Sequence, residues 1–212
     1  MHSGVLYILA LVLFSSNILT NIFGINSYLL FSSFYFMVIC TDLFITGKNI
    51  GIKNRLLFWL GITYILVGFQ TMILVRNFVP NGEFFTWMIF VITVISDSMA
   101  YFTGKFFGKR KLIPSVSPNK TVEGSLGAIF FTIIGCLIYG ATVNLDVTSL
   151  VIIGFLGSII SQCGDLIASK VKRHTGIKDF SNLIPQHGGI LDRLDSALLV
   201  SQFMFLVILF LI

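Results

Sequence analysis

Apolar residues run along this chain in seven long stretches separated by short polar segments. The stretches lie at roughly 4–23, 27–46, 56–76, 84–103, 122–143, 148–168 and 194–212, each near the 20 or so apolar residues a helix needs to cross a bilayer core. Strands are excluded inside them, because an open sheet edge leaves backbone groups unsatisfied in lipid. The predicted fold class is therefore all-α: a polytopic transmembrane helix bundle of about seven spans. The first stretch lacks a basic leader and a small-residue cleavage site, so it is expected to be a span rather than a removed signal peptide. No internal repeat is visible.

Charge placement predicts the topology. Lys48, Lys53 and Arg55 lie between spans two and three. Lys105, Lys109, Arg110, Lys111 and Lys120 lie between four and five, and Lys170, Lys172, Arg173, Lys178 and Arg193 between six and seven. These are alternate loops, hence one face, with Arg76 the exception. The positive-inside rule makes that face cytoplasmic and puts the N-terminus inside. Composition agrees: of 212 residues, 56% are hydrophobic and 11% charged, against about 25% charged in soluble domains. The net charge of +5 is spread over three loops, which argues against nucleic acid as a partner and for topology determinants and anion ligands. Cys40, Cys136 and Cys163 sit in apolar segments at unrelated spacings, so small buried hydrophobes are expected rather than disulfides or a zinc site.

Most polar residues within spans have structural readings. Asp42 sits near the inner end of span two, where an interfacial carboxylate is tolerated. Gln70 suits a helix–helix hydrogen bond, and Gly154, Gly157, Ser158 and Ser161 suit close helix packing. Asp97 differs, because an ionisable side chain inside an apolar segment points to function. It shares a helix face with Tyr101, Gly104 and Gly108. An Asp paired with a nearby Lys for packing is the alternative. Ser117–Pro118 predicts an N-cap and first-turn proline. A helix starting there would offer its free N–H groups to a phosphate, with Lys120 and Thr121 adding a charge and a hydroxyl. Glu123 would then enter the membrane beside Gly124 and Gly127. A plain capped helix start is the bland alternative.

The one long polar run is Ser169 to Ser196. Asp165, Ser169, Lys172 and Arg173 precede or open it at i, i+4, i+7 and i+8, one face of a helix. Asp192 and Asp195, three apart, share a face at the start of span seven. Carboxylates on facing helices with hydroxyls nearby make a hard oxygen site suited to magnesium. The surrounding Lys and Arg would stabilise a departing pyrophosphate. His187, beside two glycines, either contacts substrate or shapes a tight loop.

Ser169-x-Val171-Lys172-Arg173-x4-Lys178-Asp179, continuing through Pro185-x-His187-Gly188-Gly189-x2-Asp192-Arg193-x-Asp195, resembles the family motif of phosphatidate cytidylyltransferases, the CDP-diacylglycerol synthases. Asp97-x2-Ala100-Tyr101-x2-Gly104, Ser117-Pro118-x-Lys120-Thr121-x-Glu123-Gly124 and Gln162-x-Gly164-Asp165 extend the resemblance over roughly Ser96 to Ser196. Residues 1–80 carry none of it and are expected to be motif-poor transmembrane helices, with residues 81–212 the catalytic transmembrane domain.

The resemblance implies that CTP condenses with phosphatidic acid, giving CDP-diacylglycerol and pyrophosphate. It implies Mg2+, with K+ associated in part of the family, and a homodimer in a membrane. Asp165 and Asp192 become the metal ligands. Asp165, Ser169, Lys172, Arg173, Asp192 and Asp195 become the catalytic set. Asp97, Ser117, Lys120, Thr121, Glu123, Lys178, His187 and Arg193 become the substrate-binding set. A bacterial inner membrane with the site on its cytoplasmic side is expected. The rivals are another CTP-dependent lipid transferase (a polyprenol kinase or a CDP-archaeol synthase-like enzyme) and a small cation transporter using Asp97, Glu123 and Asp165.

Overall fold

The computed structural model describes residues 52–78, 80–114, 116–143, 145–174, 176–177, 179–181, 189 and 191–211. Predicted spans one and two, with Asp42 and Cys40, lie outside the described residues, as do Lys178 and His187. Five helices are described: α1 (Ile52–Phe78), α2 (Gly82–Phe107), α3 (Val122–Gly140), α4 (Val147–His174) and α5 (Leu191–Leu211). They coincide with predicted spans three to seven, and all five are long and apolar enough to cross a membrane. Residues from Thr71 onward form one compact unit, and the described residues before it belong to another.

In the larger unit the core is apolar side chains from every helix: Val75 from α1, Met88, Ile89 and Ile92 from α2, Cys136 from α3, Leu150 and Ile153 from α4, and Val200 and Met204 from α5. Trp87, Val94, Leu126, Phe130, Ile138 and Leu209 are exposed. In water such a surface would be a liability, whereas in lipid it is the ordinary outer face of a bundle. Cys136 is buried as expected; Cys163 is exposed on α4 instead, since an apolar window does not distinguish a lipid-facing position from a buried one.

Two expectations are corrected here. The bundle is not purely α, because a two-stranded antiparallel ribbon, β1 (Lys111–Ile113) and β2 (Ser117–Thr121), joins α2 to α3. It lies outside the spans, where its edges can reach polar partners. Ser117 therefore does not cap a helix: it pairs with Ile113, and α3 starts five residues later. Thr121 is the N-cap, its Oγ1 accepting from the Gly124 amide at 3.1 Å. A threonine with an extended backbone outcompetes Ser117–Pro118 because proline is tolerated on a ribbon edge, while Thr121 satisfies an orphan amide of the first turn. At the other end of α3, Asp146 precedes α4 and accepts from the Ser149 amide at 3.0 Å; that bond holds its carboxyl below the ordinary range.

Glycines set the spacing at the ribbon end. A Cβ on Gly124 would stand 2.6 Å from the Ala100 carbonyl oxygen and 3.1 Å from the Gly104 Cα. A Cβ on Gly164 would stand 3.1 Å from the Ser196 Cα. Thus α2 meets α3, and α4 meets α5, nearly backbone to backbone. Gly154 meets α3 in the same way, at 2.8 Å from the Ile133 Cα, and Ser158 shares a hydrogen bond with Ser96 at 3.1 Å. The close packing expected of that face of α4 is present.

Candidate active site

Where the C-termini of α2 and α4 meet the N-termini of α3 and α5, the four helices and the ribbon enclose a hollow of about 480 Å³. Its walls are Asp97, Ala100, Tyr101, Gly104 and Lys105 of α2, Leu112, Asn119, Lys120 and Thr121 of the ribbon, Ser125 of α3, Gln162 and Asp165 of α4, and Asp192 and Asp195 of α5. Four carboxylates thus converge from three helices. The Asp165 carboxylate repels those of Asp97 and Asp195, so the cluster needs cations to be stable at this depth.

Two lysines supply part of that charge. Lys120, placed on β2 one residue before the cap of α3, forms an ion pair with Asp165. The Ser169 hydroxyl, one turn on, donates to the other Asp165 oxygen at 3.3 Å. Lys172 lies two turns beyond Asp165 and is 9% exposed. Its ammonium is 2.9 Å from Asp192 Oδ1 and 3.8 Å from Asp195 Oδ2, with the Phe180 ring 5.3 Å away. The other Asp192 oxygen accepts backbone amides from Phe180 at 2.9 Å and Gly189 at 3.0 Å. Asp192 is therefore held by an ammonium and two amides at once, which ties Phe180 and Gly189 to the first turn of α5. Ser196 donates its amide to Asp195 at 2.8 Å and its hydroxyl to Asp97 at 3.5 Å, linking α5 to α2.

Behind the acids runs a buried amide–hydroxyl chain. Ser125 donates to the Gln162 side-chain oxygen, and the Gln162 amide donates to the Ser125 carbonyl at 3.4 Å and to Ser158 at 3.3 Å. This ties the first turn of α3 to α4 three residues before Asp165. Lys120 and Asp165 are thereby brought face to face by two adjacent rungs.

The sequence-derived candidates are distributed unequally. Asp97, Lys120, Thr121, Asp165, Asp192 and Asp195 line the hollow, and Ser169 and Lys172 bond to its walls. Arg173 and Arg193 are exposed and stand outside the lining. Ser117 is taken up by the ribbon. Glu123 stands outside the lining: its carboxylate turns back to accept the amides of Lys109 at 3.0 Å and Arg110 at 3.2 Å, tying the first turn of α3 to the segment between α2 and β1. Among the polar lining residues, Lys105, Asn119 and Ser125 escaped the sequence candidates, and Tyr101 and Gln162 stood in the quoted motif stretches without an assigned role. Gln162 carried a signal, a carboxamide inside an apolar window; Ser125 and Asn119 carried none, because the ribbon that aims them was not foreseen.

A model of the Cytidylyltransferase family matches residues 1–211. The phosphatidate cytidylyltransferase of Bacillus subtilis (strain 168) is 42% identical over 144 residues, 67% of this chain and 54% of the relative. That of Staphylococcus aureus (strain COL) is 37% identical over 156 residues, 70% of this chain and 59% of the relative. That of Staphylococcus haemolyticus (strain JCSC1435) is 35% identical over 156 residues, with the same shares of 70% and 59%. The chain thus spans less than two thirds of the length of these curated relatives. With the match running across every described helix and the ribbon, the chain belongs to the Cytidylyltransferase family.

Proposed function

We propose that the chain is a phosphatidate cytidylyltransferase, condensing CTP with phosphatidic acid to give CDP-diacylglycerol and pyrophosphate. The observation that carries this is the hollow: four aspartates and two lysines converge at one end of a set of membrane-spanning helices. Polar substrate chemistry and a lipid anchor are thus served at one level. The family and its phosphatidate-specific relatives supply the substrate class.

Among the described residues no three acidic, histidine or cysteine side chains are close enough to enclose a metal ion by themselves. Magnesium is commonly held by one or two carboxylates together with substrate phosphates, so the donor set fits an ion shared with CTP. Asp165 and Asp192 would hold it, and K+ is proposed as an accessory ion. Bound magnesium would draw charge from the triphosphate. In the reaction a lipid phosphate oxygen bonds to the α-phosphorus in line, the bond from that phosphorus to the pyrophosphate oxygen breaks, and pyrophosphate leaves. The lipid phosphomonoester is already anionic near neutral pH, so no strong general base is required. Lys120 and Lys105 meet the phosphates, Lys172 orients Asp192 and Asp195, and the helix packing positions the reactants.

The seven-span topology, with the N-terminus and the hollow on the cytoplasmic side of a bacterial inner membrane, is part of the proposal, as is a homodimer. Support for the orientation comes from the ends of the helices. The cations of the ribbon and of the ends of α4 and α5 share the hollow's end. Arg76, the exception, is paired with Glu83 at 2.8 Å.

Purified protein given phosphatidate, CTP and Mg2+ should release pyrophosphate and a nucleotide-linked lipid, and chelation should stop both. Release of CDP would instead indicate a lipid kinase, and ion flux without CTP turnover a transporter. Asp165→Asn and Asp192→Asn should each lower turnover by on the order of a hundredfold. Activity near wild type in both would remove the metal assignment.

A further inference from the structure

The hollow has one wall unlike the others. On the last two turns of α2, Tyr101 and Lys105 line it and are exposed, Tyr101 by 62%. The Lys105 ammonium lies 5.9 Å from the centre of the Tyr101 ring. Immediately beside them, one residue on in each turn, are Phe102 and Phe106, exposed by 50% and 71%. The Phe102 ring stands edge-on to Tyr101 with centroids 5.6 Å apart. This end of α2 therefore forms a rim of the hollow: a cation and a phenol in the lining, with two exposed aromatics beside them.

Other exposed apolar positions lack this combination. Trp87 and Val94 on α2, and Phe130 and Ile138 on α3, are exposed but neither border the hollow nor neighbour a cation that does. Amphipathic aromatics and snorkelling lysines settle at the headgroup level of a bilayer. An occupant crossing such a rim must be apolar where it meets Phe102 and Phe106 and anionic where it meets Lys105. A lipid with a phosphate head meets both conditions; free CTP meets only the second.

We propose that the last two turns of α2 are the threshold over which phosphatidate passes from the bilayer into the hollow, its acyl chains against Phe102 and Phe106 and its phosphomonoester on Lys105. The proposal rests on the cytidylyltransferase assignment of the hollow. Lys105 and Lys120 are the two cations of the lining, so a phosphate met at Lys105 has Lys120 as its partner within the hollow.

The test is a cross-link that does not depend on turnover. Phe102→p-benzoylphenylalanine in the full chain, in phosphatidylcholine vesicles carrying labelled phosphatidate, should capture label on the order of tenfold more than Phe130→p-benzoylphenylalanine, an equally lipid-facing site. Excess unlabelled phosphatidate should compete, and added phosphatidylcholine should not. Alongside it, Phe102→Ala with Phe106→Ala should raise the KM for long-chain phosphatidate on the order of tenfold with the KM for CTP unchanged. Equal labelling at 102 and 130, or a loss confined to the CTP KM, overturns the threshold. A chain that captures lipid at 102 but never turns over CTP refutes the reaction and supports the threshold.

Discussion

At the scale of single residues, Lys172 carries the most electrostatic weight. It is the ammonium that the nearly buried Asp192 and Asp195 share. Replacing it with an apolar side chain of similar length leaves two carboxylates in low dielectric. Lys172→Met should therefore destabilise the protein by about 3–5 kcal/mol, read as a lowered thermal midpoint in detergent. Adding Asp192→Asn to Lys172→Met should recover part of the loss, because a neutral carboxamide can still accept the Phe180 and Gly189 amides. A Lys172→Met midpoint equal to the parent's would mean the three side chains are not coupled. Sequence spacing already put Lys172 two turns from Asp165 and paired Asp192 with Asp195. It did not show that Lys172 faces the aspartates of α5 while Lys120 serves Asp165, because those partners are 20 and 45 residues away in the chain and only helix packing joins them.

At the scale of elements, the approach of α2 to α3 positions half of the hollow. Gly124→Ala would drive a methyl group to 2.6 Å from the Ala100 carbonyl oxygen, a backbone atom that cannot rotate aside. The helices must part, at a cost of about 1–3 kcal/mol, and Lys120 and Thr121 shift with the start of α3. Gly61→Ala is the control: its Cβ would meet nothing within 4 Å, and the better helix former should leave stability unchanged or raise it by up to about 1 kcal/mol. Thermal midpoints and CTP turnover of the two variants should diverge; parallel behaviour would refute the close-packing account. The ribbon was the least legible element. Its strands are three and five residues long, too short for an alternation signal, and a Ser–Pro pair mimics a helix start. The helix itself announced its true beginning in Thr121 followed by an acidic first turn, a signal outweighed by the proline.

At the scale of the whole molecule, the distribution of charge predicts which end of the bundle meets the cytoplasm. In a cysteine-free background, Asn77→Cys near the Arg76 end should react with a membrane-impermeant maleimide on intact cells, and Lys109→Cys should react only after permeabilisation. The reverse pattern would invert the topology and move the hollow away from cytoplasmic CTP. The Arg76–Glu83 pair is exposed, so its charges cancel at the surface with little effect on stability.

The amino-acid order alone determined that this is a helical membrane protein, where the five described membrane-length helices run, and which polar residues stand out against the apolar runs. Those properties follow from runs of apolar residues about one bilayer thick and from charges too costly to bury without purpose, both local to the chain. Tertiary structure alone decided that four aspartates share one hollow, which lysine answers which carboxylate, and that Ser117 pairs within the ribbon while Glu123 accepts the Lys109 and Arg110 amides. The reason is physical: a side chain's partner is chosen by helix packing between distant segments, and the glycines that permit such packing do not name the backbone they will touch.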